Sequence, residues 1–164
     1  MWVHMHRICP SSGFELRLLG AITRPMRQHL EELRASTNGR GIFEITPEVT
    51  AVLERSGIRE GLCTVYCQHT SCSLVIQENA DPSAAADLLA WLERLAPRGD
   101  ASYTHTAEGP DDMPSHLRSA ITRTSEAVPV LDGALTLGTW QGLYLLEHRD
   151  VPHTRNLVVH VLGE

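Results

Sequence analysis

The chain has 164 residues, with 20 acidic against 14 basic side chains, a formal net charge of −6 and 9 histidines. All of the basic side chains are arginine, and the absence of lysine excludes a Schiff-base nucleophile, covalently held pyridoxal phosphate and a P-loop. An acidic chain rich in histidine favours a metal or acid–base site over a nucleic-acid surface, so we expect no nucleic-acid partner.

The sequence predicts one main domain that follows a short extension. Residues 1–24 show no periodic pattern and are expected to be an N-terminal extension, whereas residues 25–164 are expected to form a single domain. No segment approaches the roughly 18 consecutive apolar residues of a membrane span, and the N-terminus does not resemble a signal peptide. We therefore expect a cytoplasmic protein with no membrane partner.

The first elements of the domain are one ambiguous segment, a short strand and a well-marked helix. Gln28–Ser36 has apolar residues at helical spacing but no clean period. A turn at Asn38-Gly39 precedes a strand over Ile42–Ile45. Thr46-Pro47-Glu48 has the composition of a helix start, with threonine as the N-cap, and Gly57 lies where a C-cap glycine is expected.

Two strands and two helices are predicted in the middle of the chain. Leu62–Gln68 and Ser73–Ile76 are rich in strand-forming residues. Asp81-Pro82 repeats the pattern of a capping residue followed by proline, and the helix that it starts ends before Pro97. A shorter amphipathic helix is predicted over Asp112–Thr122.

The C-terminal part of the chain is predicted to be all strand. The strands are Val128–Val130, Ala134–Leu137, Leu143–His148 and Leu157–Leu162, and an Asp132-Gly133 turn joins the first two. Three helices and about seven strands, grouped rather than alternating, predict an α+β fold with a mostly antiparallel sheet.

The cysteines are predicted to be buried and reduced. They are Cys9, Cys63, Cys67 and Cys72, and no two form a Cys-x-x-Cys pair. On a strand, Cys63 and Cys67 would be about 13 Å apart. A disulfide needs Cα atoms within about 7 Å.

Three polar patches are the candidate sites. They are Gln68–Ser73, Tyr103–His116, and Gly138–Gly142 together with Glu147-His148-Arg149. Each residue taken alone has an ordinary explanation: Asp112 as a helix cap, His69 as a hydrogen-bonded structural histidine, Trp140 as core. Taken together, neutral imidazoles with neighbouring carboxylates indicate a site for a divalent ion, zinc in particular, with an open coordination position. The acids would act as general bases or would orient the ligands.

Three other chemistries have less support. A Ser–His–Asp hydrolase could use Ser71 or Ser73 with His69, but the chain has no Gly-x-Ser-x-Gly elbow. A glycosidase pair of Glu108 with Asp111 or Asp112 has no supporting signal. A Cys67 or Cys72 nucleophile beside His69 is equally unsupported.

At these patches the sequence resembles the YjbQ-type family, which is also described as secondary thiamine-phosphate synthases. The resemblance runs from about Met26 to the C-terminus. It rests on His69-Thr70-Ser71-Cys72-Ser73-Leu74, Glu78-Asn79-Ala80-Asp81-Pro82, Tyr103-Thr104-His105, Glu108-Gly109, Asp111-Asp112-Met113-Pro114-Ser115-His116, Leu137-Gly138-Thr139-Trp140-Gln141-Gly142, Glu147-His148-Arg149 and Gly163-Glu164. Cys72 departs from the family, which more often has alanine there.

The resemblance implies a compact α+β fold built round a β-sandwich and assembled as a homotrimer. It also implies that Gln28–Thr37 is a strand. The implied zinc ligands are His69, His105 and His116. The acid–base or catalytic candidates are Glu108, Asp111 and Asp112, and the substrate-binding candidates are Thr70, Ser71, Trp140, His148 and Arg149.

The implied activity is that of a transferase, a thiamine-phosphate synthase. A thiazole phosphate nitrogen would attack a pyrimidine diphosphate, and pyrophosphate would leave. A divalent ion with Arg149 or Arg118 would bind the phosphorylated substrate, and Trp140 would stack on the ring. Two alternatives stay open: a metal-assisted hydrolase, and a non-catalytic protein that binds a metal or a metabolite.

Overall fold

The computed structural model describes residues 25–164, so the extension expected over residues 1–24 lies outside the described residues. The predicted α+β class is confirmed. The described residues form eight strands and three helices, and every pair of neighbouring strands is antiparallel.

The larger sheet has five strands in the order β1-β8-β3-β5-β6. Its strands are β1 (Arg27–Thr37), β3 (Gly61–Cys67), β5 (Ser125–Leu131), β6 (Ala134–Leu135) and β8 (His153–Gly163). The predicted turn between β5 and β6 is confirmed, because both Asp132 and Gly133 have positive φ angles, of 54° and 79°. This is the conformation that a two-residue hairpin turn requires.

The smaller sheet has three strands in the order β2-β7-β4. They are β2 (Gly41–Glu44), β4 (Cys72–Glu78) and β7 (Gln141–Glu147). Its register pairs Cys72 with Glu147 at one end and Glu78 with Gln141 at the other. The residues before β4 and the residues after β7 therefore meet at one edge of the sheet.

The helices are α1 (Thr46–Ser56), α2 (Pro82–Leu95) and α3 (Asp112–Ile121). Asp81 caps α2 by accepting the N–H of Ser83, as predicted. Gly57 ends α1 in the left-handed conformation, also as predicted. The N-cap of α1 is Ile45 rather than the predicted Thr46, because the Thr46 hydroxyl accepts the N–H of Leu143 on the neighbouring strand β7 instead.

The core lies between the two sheets and is closed by α1. Alternate residues of β4 and β7, such as Leu74 and Leu145, face alternate residues of β3 and β8, such as Val65 and Val159, and all four are essentially buried. The opposite face of the small sheet is covered by α2 and α3. Within residues 25–164 no helix is both long and apolar enough to cross a bilayer, and the longest, α2, has 14 residues.

Candidate metal centre

Three side chains converge where α3 begins: His105 from the preceding loop, and Asp112 and His116 from the helix itself. One possible ligand atom from each lies within 4.8 Å of the other two. Asp112 and His116 are four residues apart and therefore lie on one helix face. The Oδ2 atom of Asp112 is 2.9 Å from Nε2 of His105 and 3.4 Å from Nε2 of His116. Four tetrahedral ligands of one zinc ion are separated by about 3.3 Å, so these spacings fit such an ion.

The ring of His116 is held with one nitrogen free. Its Nδ1 atom is 3.1 Å from the carbonyl oxygen of Thr70, which can only accept a hydrogen bond. Nδ1 therefore carries a proton, and Nε2 faces the carboxylate of Asp112. A backbone carbonyl that fixes the tautomer of a histidine is the usual support of a metal-ligating imidazole.

The two carboxylate oxygens of Asp112 have different surroundings. Asp112 is 1% exposed. Its Oδ1 atom is paired with Nη1 of Arg149, whereas its Oδ2 atom is buried and accepts no well-aligned hydrogen bond, although Nε2 of His105 lies 2.9 Å away. A buried carboxylate oxygen without a well-aligned donor is costly, and a cation at this point would compensate it. The donor set of two imidazoles and one carboxylate is chemically suited to zinc.

Arg149 organises the loop around the cluster. Its Nε atom donates to Oδ2 of Asp111 at 3.0 Å, and its Nη2 atom donates to the carbonyl of Glu108 at 2.8 Å. The pKa of Asp111 lies below its ordinary value: burial opposes the shift, but the N–H of Asp150 and the guanidinium of Arg149 outweigh it. Arg149 is thus committed to three groups of the protein, and Asp111 is a partner of Arg149 rather than of the histidines.

His105 also lines an open cavity of about 390 Å³, which gives the cluster access to solvent. Polar and small side chains form the rest of its wall, with Tyr103 and Met113 as the larger ones. Among the described residues, no arginine lines this cavity. The Glu108 carboxylate is exposed and lies 3.9 Å from Nη1 of Arg149.

The structure places His69, the other predicted ligand, outside this cluster. Its Nε2 atom accepts the backbone N–H of Asn156 at 2.7 Å. Burial, and secondarily the charge of Arg155, lowers the pKa of His69, which keeps the ring neutral. Within one chain, Asp112 therefore takes the third position that the sequence assigned to His69, although Thr70 in the same loop does support His116.

The predicted substrate-binding residues are divided between the two ends of the small sheet. Thr70 and Ser71 lie beside His69 in the loop before β4, and they line a second open depression, of about 550 Å³. Trp140 is 67% exposed and precedes β7, whereas Arg149 follows it. Seven residues of strand span about 23 Å. The structure therefore does not bring Trp140 to the His105–Asp112–His116 cluster of its own chain.

His148 lies inside the protein. It is 1% exposed, and its Nε2 atom is 2.8 Å from the hydroxyl of Ser73. Burial, and secondarily the charge of Arg118, lowers the pKa of His148 to about 3. The hydroxyl of Ser115 donates to the His148 carbonyl at 2.9 Å. His148 thus joins the end of β7 to the first turn of α3, and it does not line the cavity at His105.

A buried ion pair lies next to the site, and the sequence pattern did not predict it. Both carboxylate oxygens of Glu147 accept from Arg155, at 2.5 and 2.7 Å, and Thr37 donates to the same carboxylate at 2.9 Å. Although burial raises it, the pKa of Glu147 lies below its ordinary value because Arg155, the N–H of Arg149 and Thr37 all stabilise the charged form. Glu147 thereby holds the backbone of Arg149 in place. The sequence signal that could have revealed this pair is a charged residue at an inward-facing position of a strand, Glu147 in β7 and Arg155 in β8.

Comparison with known proteins agrees with this architecture. A family described as "UPF0047 protein YjbQ-like" matches residues 31–164. The UPF0047 protein sll1880 of Synechocystis is 50% identical over 138 residues, which are 84% of this chain and 94% of that protein. The UPF0047 protein YjbQ of Salmonella typhimurium is 41% identical over 132 residues, 79% of this chain and 94% of that protein.

Solved structures show the same fold. A YbjQ-like protein of unknown function from Sulfolobus solfataricus superposes with a TM-score of 0.79 at 26% identity, covering 85% of this chain and all of that one. A conserved hypothetical protein from Thermus thermophilus gives a TM-score of 0.70 at 36% identity, covering 78% of this chain and 97% of that one. The chain therefore belongs to the UPF0047, or YjbQ-like, family.

Proposed function

We propose that this protein is a metal-dependent enzyme that binds one divalent ion, zinc, through His105, Asp112 and His116. One observation carries the proposal: the buried Oδ2 atom of Asp112 accepts no well-aligned hydrogen bond and faces the Nε2 atoms of both histidines. The support of His116 by a backbone carbonyl agrees with it. Three protein ligands leave a fourth position open for substrate or water, as in catalytic zinc sites.

The reaction that we propose is thiamine-phosphate synthesis, which the family resemblance suggests. The bond between the pyrimidine methylene carbon and its diphosphate would break, pyrophosphate would leave, and the thiazole phosphate nitrogen would form the new bond. Among residues 25–164 no arginine lines the cavity, so the ion would neutralise the charge of the diphosphate. Arg149 would act by holding Asp111, Asp112 and the Glu108 backbone in place.

A metal-assisted hydrolase is the second candidate, and the position of Glu108 favours it. This carboxylate is exposed and carried on the loop between His105 and Asp112. A carboxylate beside an open metal position can take the proton of a metal-activated water. The hydrolase would release pyrophosphate or phosphate from one substrate without a second.

Product analysis separates the reactions. Zinc-loaded protein would be incubated with the pyrimidine diphosphate alone and with the thiazole phosphate added, and the products measured by mass spectrometry. Thiamine phosphate formed only with both substrates supports the synthase, whereas hydrolysis of the diphosphate alone supports the hydrolase. Bound zinc without either product would show a non-catalytic metal-binding protein and overturn both. A His105→Ala/His116→Ala variant is the inactive control.

We also propose that the enzyme is a cytoplasmic homotrimer. The outward face of the large sheet supports assembly, because apolar side chains on neighbouring strands are exposed there: Leu30, Leu62, Tyr66 and Leu162. Free buried thiols at Cys63, Cys67 and Cys72 suit a reducing compartment. Light scattering on purified protein should give three times the chain mass of 18.1 kDa, and a monomer mass would contradict the trimer.

A further inference from the structure

Two cysteines face each other at the ends of the loop that supports the metal cluster. Cys67 is the last residue of β3 and Cys72 is the first residue of β4, and the loop between them has four residues. Their sulfur atoms are 3.2 Å apart. Both residues are essentially buried, with exposures of 1% and 0%.

The separation of the sulfur atoms is close to that of a disulfide. A disulfide bond is about 2.05 Å long, so the sulfurs need to approach by only about 1.2 Å. Two thiolates that share one tetrahedral zinc ion are separated by about 3.7 Å, which is longer than the distance observed. Cys63 is buried on the same strand, four residues before Cys67, at a distance of about 13 Å. Within residues 25–164, Cys67 and Cys72 are therefore adjacent, and Cys63 is a matched buried thiol that cannot join them.

Cys67 borders a surface depression that is large enough for small oxidants. It is one of the residues that line the open depression beside His69, together with Gln68, Thr70 and Ser71. A molecule the size of hydrogen peroxide fits easily in a depression of about 550 Å³. A small local opening of the loop would bring the oxidant to the sulfur.

The loop between the cysteines is attached to α3 at two points. The carbonyl of Thr70 accepts from Nδ1 of His116 at 3.1 Å, and the carbonyl of Cys72 accepts from the hydroxyl of Ser119 at 3.1 Å. A change in the loop is therefore passed directly to the ring of His116, one of the proposed zinc ligands.

We propose that Cys67 and Cys72 form a reversible disulfide under hydroperoxides, and that this disulfide lowers the affinity of the His105–Asp112–His116 cluster for zinc. The second part rests on the proposed function. In the first step the O–O bond of hydrogen peroxide breaks, one sulfur gains a hydroxyl group, and water leaves. In the second step the other sulfur displaces that hydroxyl, which leaves as water with the thiol proton. Both thiols are oxidised, the peroxide is reduced to two waters, and a dithiol reductant reverses the reaction.

The first experiment tests the disulfide without using the metal. Folded wild-type protein would be treated with a small excess of hydrogen peroxide, alkylated and mapped by peptide mass spectrometry. We expect a peptide pair joined between Cys67 and Cys72, while Cys63 remains alkylated. In a Cys9→Ala/Cys63→Ala variant, the number of titratable thiols should fall from two to none. Oxidation of Cys67 and Cys72 only after denaturation, in the wild-type protein, would overturn the proposal.

The second experiment tests the effect on the cluster. Zinc affinity would be measured by calorimetry on reduced and oxidised protein, with Cys72→Ala as the control that cannot form the bond. We expect oxidation to weaken zinc binding about 10- to 100-fold in the wild type, the range found when the support of a metal-ligating histidine is disturbed, and not in Cys72→Ala. A mapped disulfide with unchanged zinc affinity would overturn the coupling. Reduced protein that does not bind zinc would instead overturn the proposed function, and the disulfide map would stand independently.

Discussion

Replacing Asp112 with asparagine is the most informative single change. The substitution keeps the shape of the side chain, and the amide oxygen can still accept from Arg149. It removes the negative charge, and it places an amide N–H₂ group or a neutral oxygen opposite the Nε2 atoms of His105 and His116. The variant therefore alters the proposed ligand with little change in volume.

The expected effect on zinc binding follows from the interaction lost. An interaction with a charged partner contributes about 1.5–3 kcal/mol. Because about 1.4 kcal/mol corresponds to a factor of ten, the zinc dissociation constant should rise about 10- to 150-fold. The stability of the metal-free protein should change less, because the substitution also removes the cost of a buried carboxylate oxygen that accepts no well-aligned hydrogen bond.

Calorimetry on metal-free protein measures this directly, and circular dichroism checks that the variant is folded. Asp100→Asn is the matched control: this carboxylate lines the same cavity, but it bonds only to Ser102. The zinc affinity of Asp100→Asn should stay within about threefold of the wild type, which is well below the change of at least about tenfold expected for Asp112→Asn. If folded Asp112→Asn binds zinc as tightly as the wild type, Asp112 is not a ligand.

Three further changes test the structure around the site. Glu147→Gln leaves Arg155 charged and unpaired, so urea denaturation should show that the free energy of unfolding falls by about 3–5 kcal/mol. The control Asp132→Asn removes an exposed ion pair and should lower it by less than about 1 kcal/mol. Equal losses in the two variants would contradict the role of the buried pair. Between pH 6.5 and 3 the unfolded chain binds a proton on His148 that the folded protein excludes, so the free energy of unfolding should fall by up to about 5 kcal/mol as the pH is lowered. His148→Gln should reduce this dependence of stability on pH. The same dependence in the variant as in the wild type would refute the assignment. Arg149→Lys keeps the positive charge, but lysine cannot contact Asp111, Asp112 and the Glu108 carbonyl at the same time. The affinity for zinc, measured by calorimetry, should therefore fall about 10- to 100-fold. An unchanged affinity would contradict the supporting role of Arg149.

Local signals predicted the helices and turns well, because caps and tight turns depend on neighbouring residues. Asp81, Gly57 and the Asp132-Gly133 turn lie as expected. The strand over Gln28–Thr37 that the family resemblance implied is confirmed as β1. The residue pattern alone did not predict it, because its alternation is interrupted: Leu30 faces outward and is exposed, whereas Glu31 faces inward and bonds to Arg55 of α1. Only contact with another element explains an inward glutamate, and a strand pattern cannot show it.

The candidate site was predictable where it lies within one element. The i, i+4 spacing of Asp112 and His116 on a predicted helix already placed both on one face. The assignment of His69 required the path of the loop before β4, and the hydrogen bond from Asn156 depends on a strand that lies 87 residues away. The separation of Trp140 from Arg149 required the register of β4 with β7.

A crystal structure of the zinc-loaded protein, with anomalous diffraction recorded at the zinc edge, would locate the proposed ion. We predict one ion about 2.0–2.2 Å from Nε2 of His105, Nε2 of His116 and Oδ2 of Asp112, with its fourth position open to the cavity. An ion bound elsewhere, or no bound ion at saturating zinc with this cluster unchanged, would contradict this prediction.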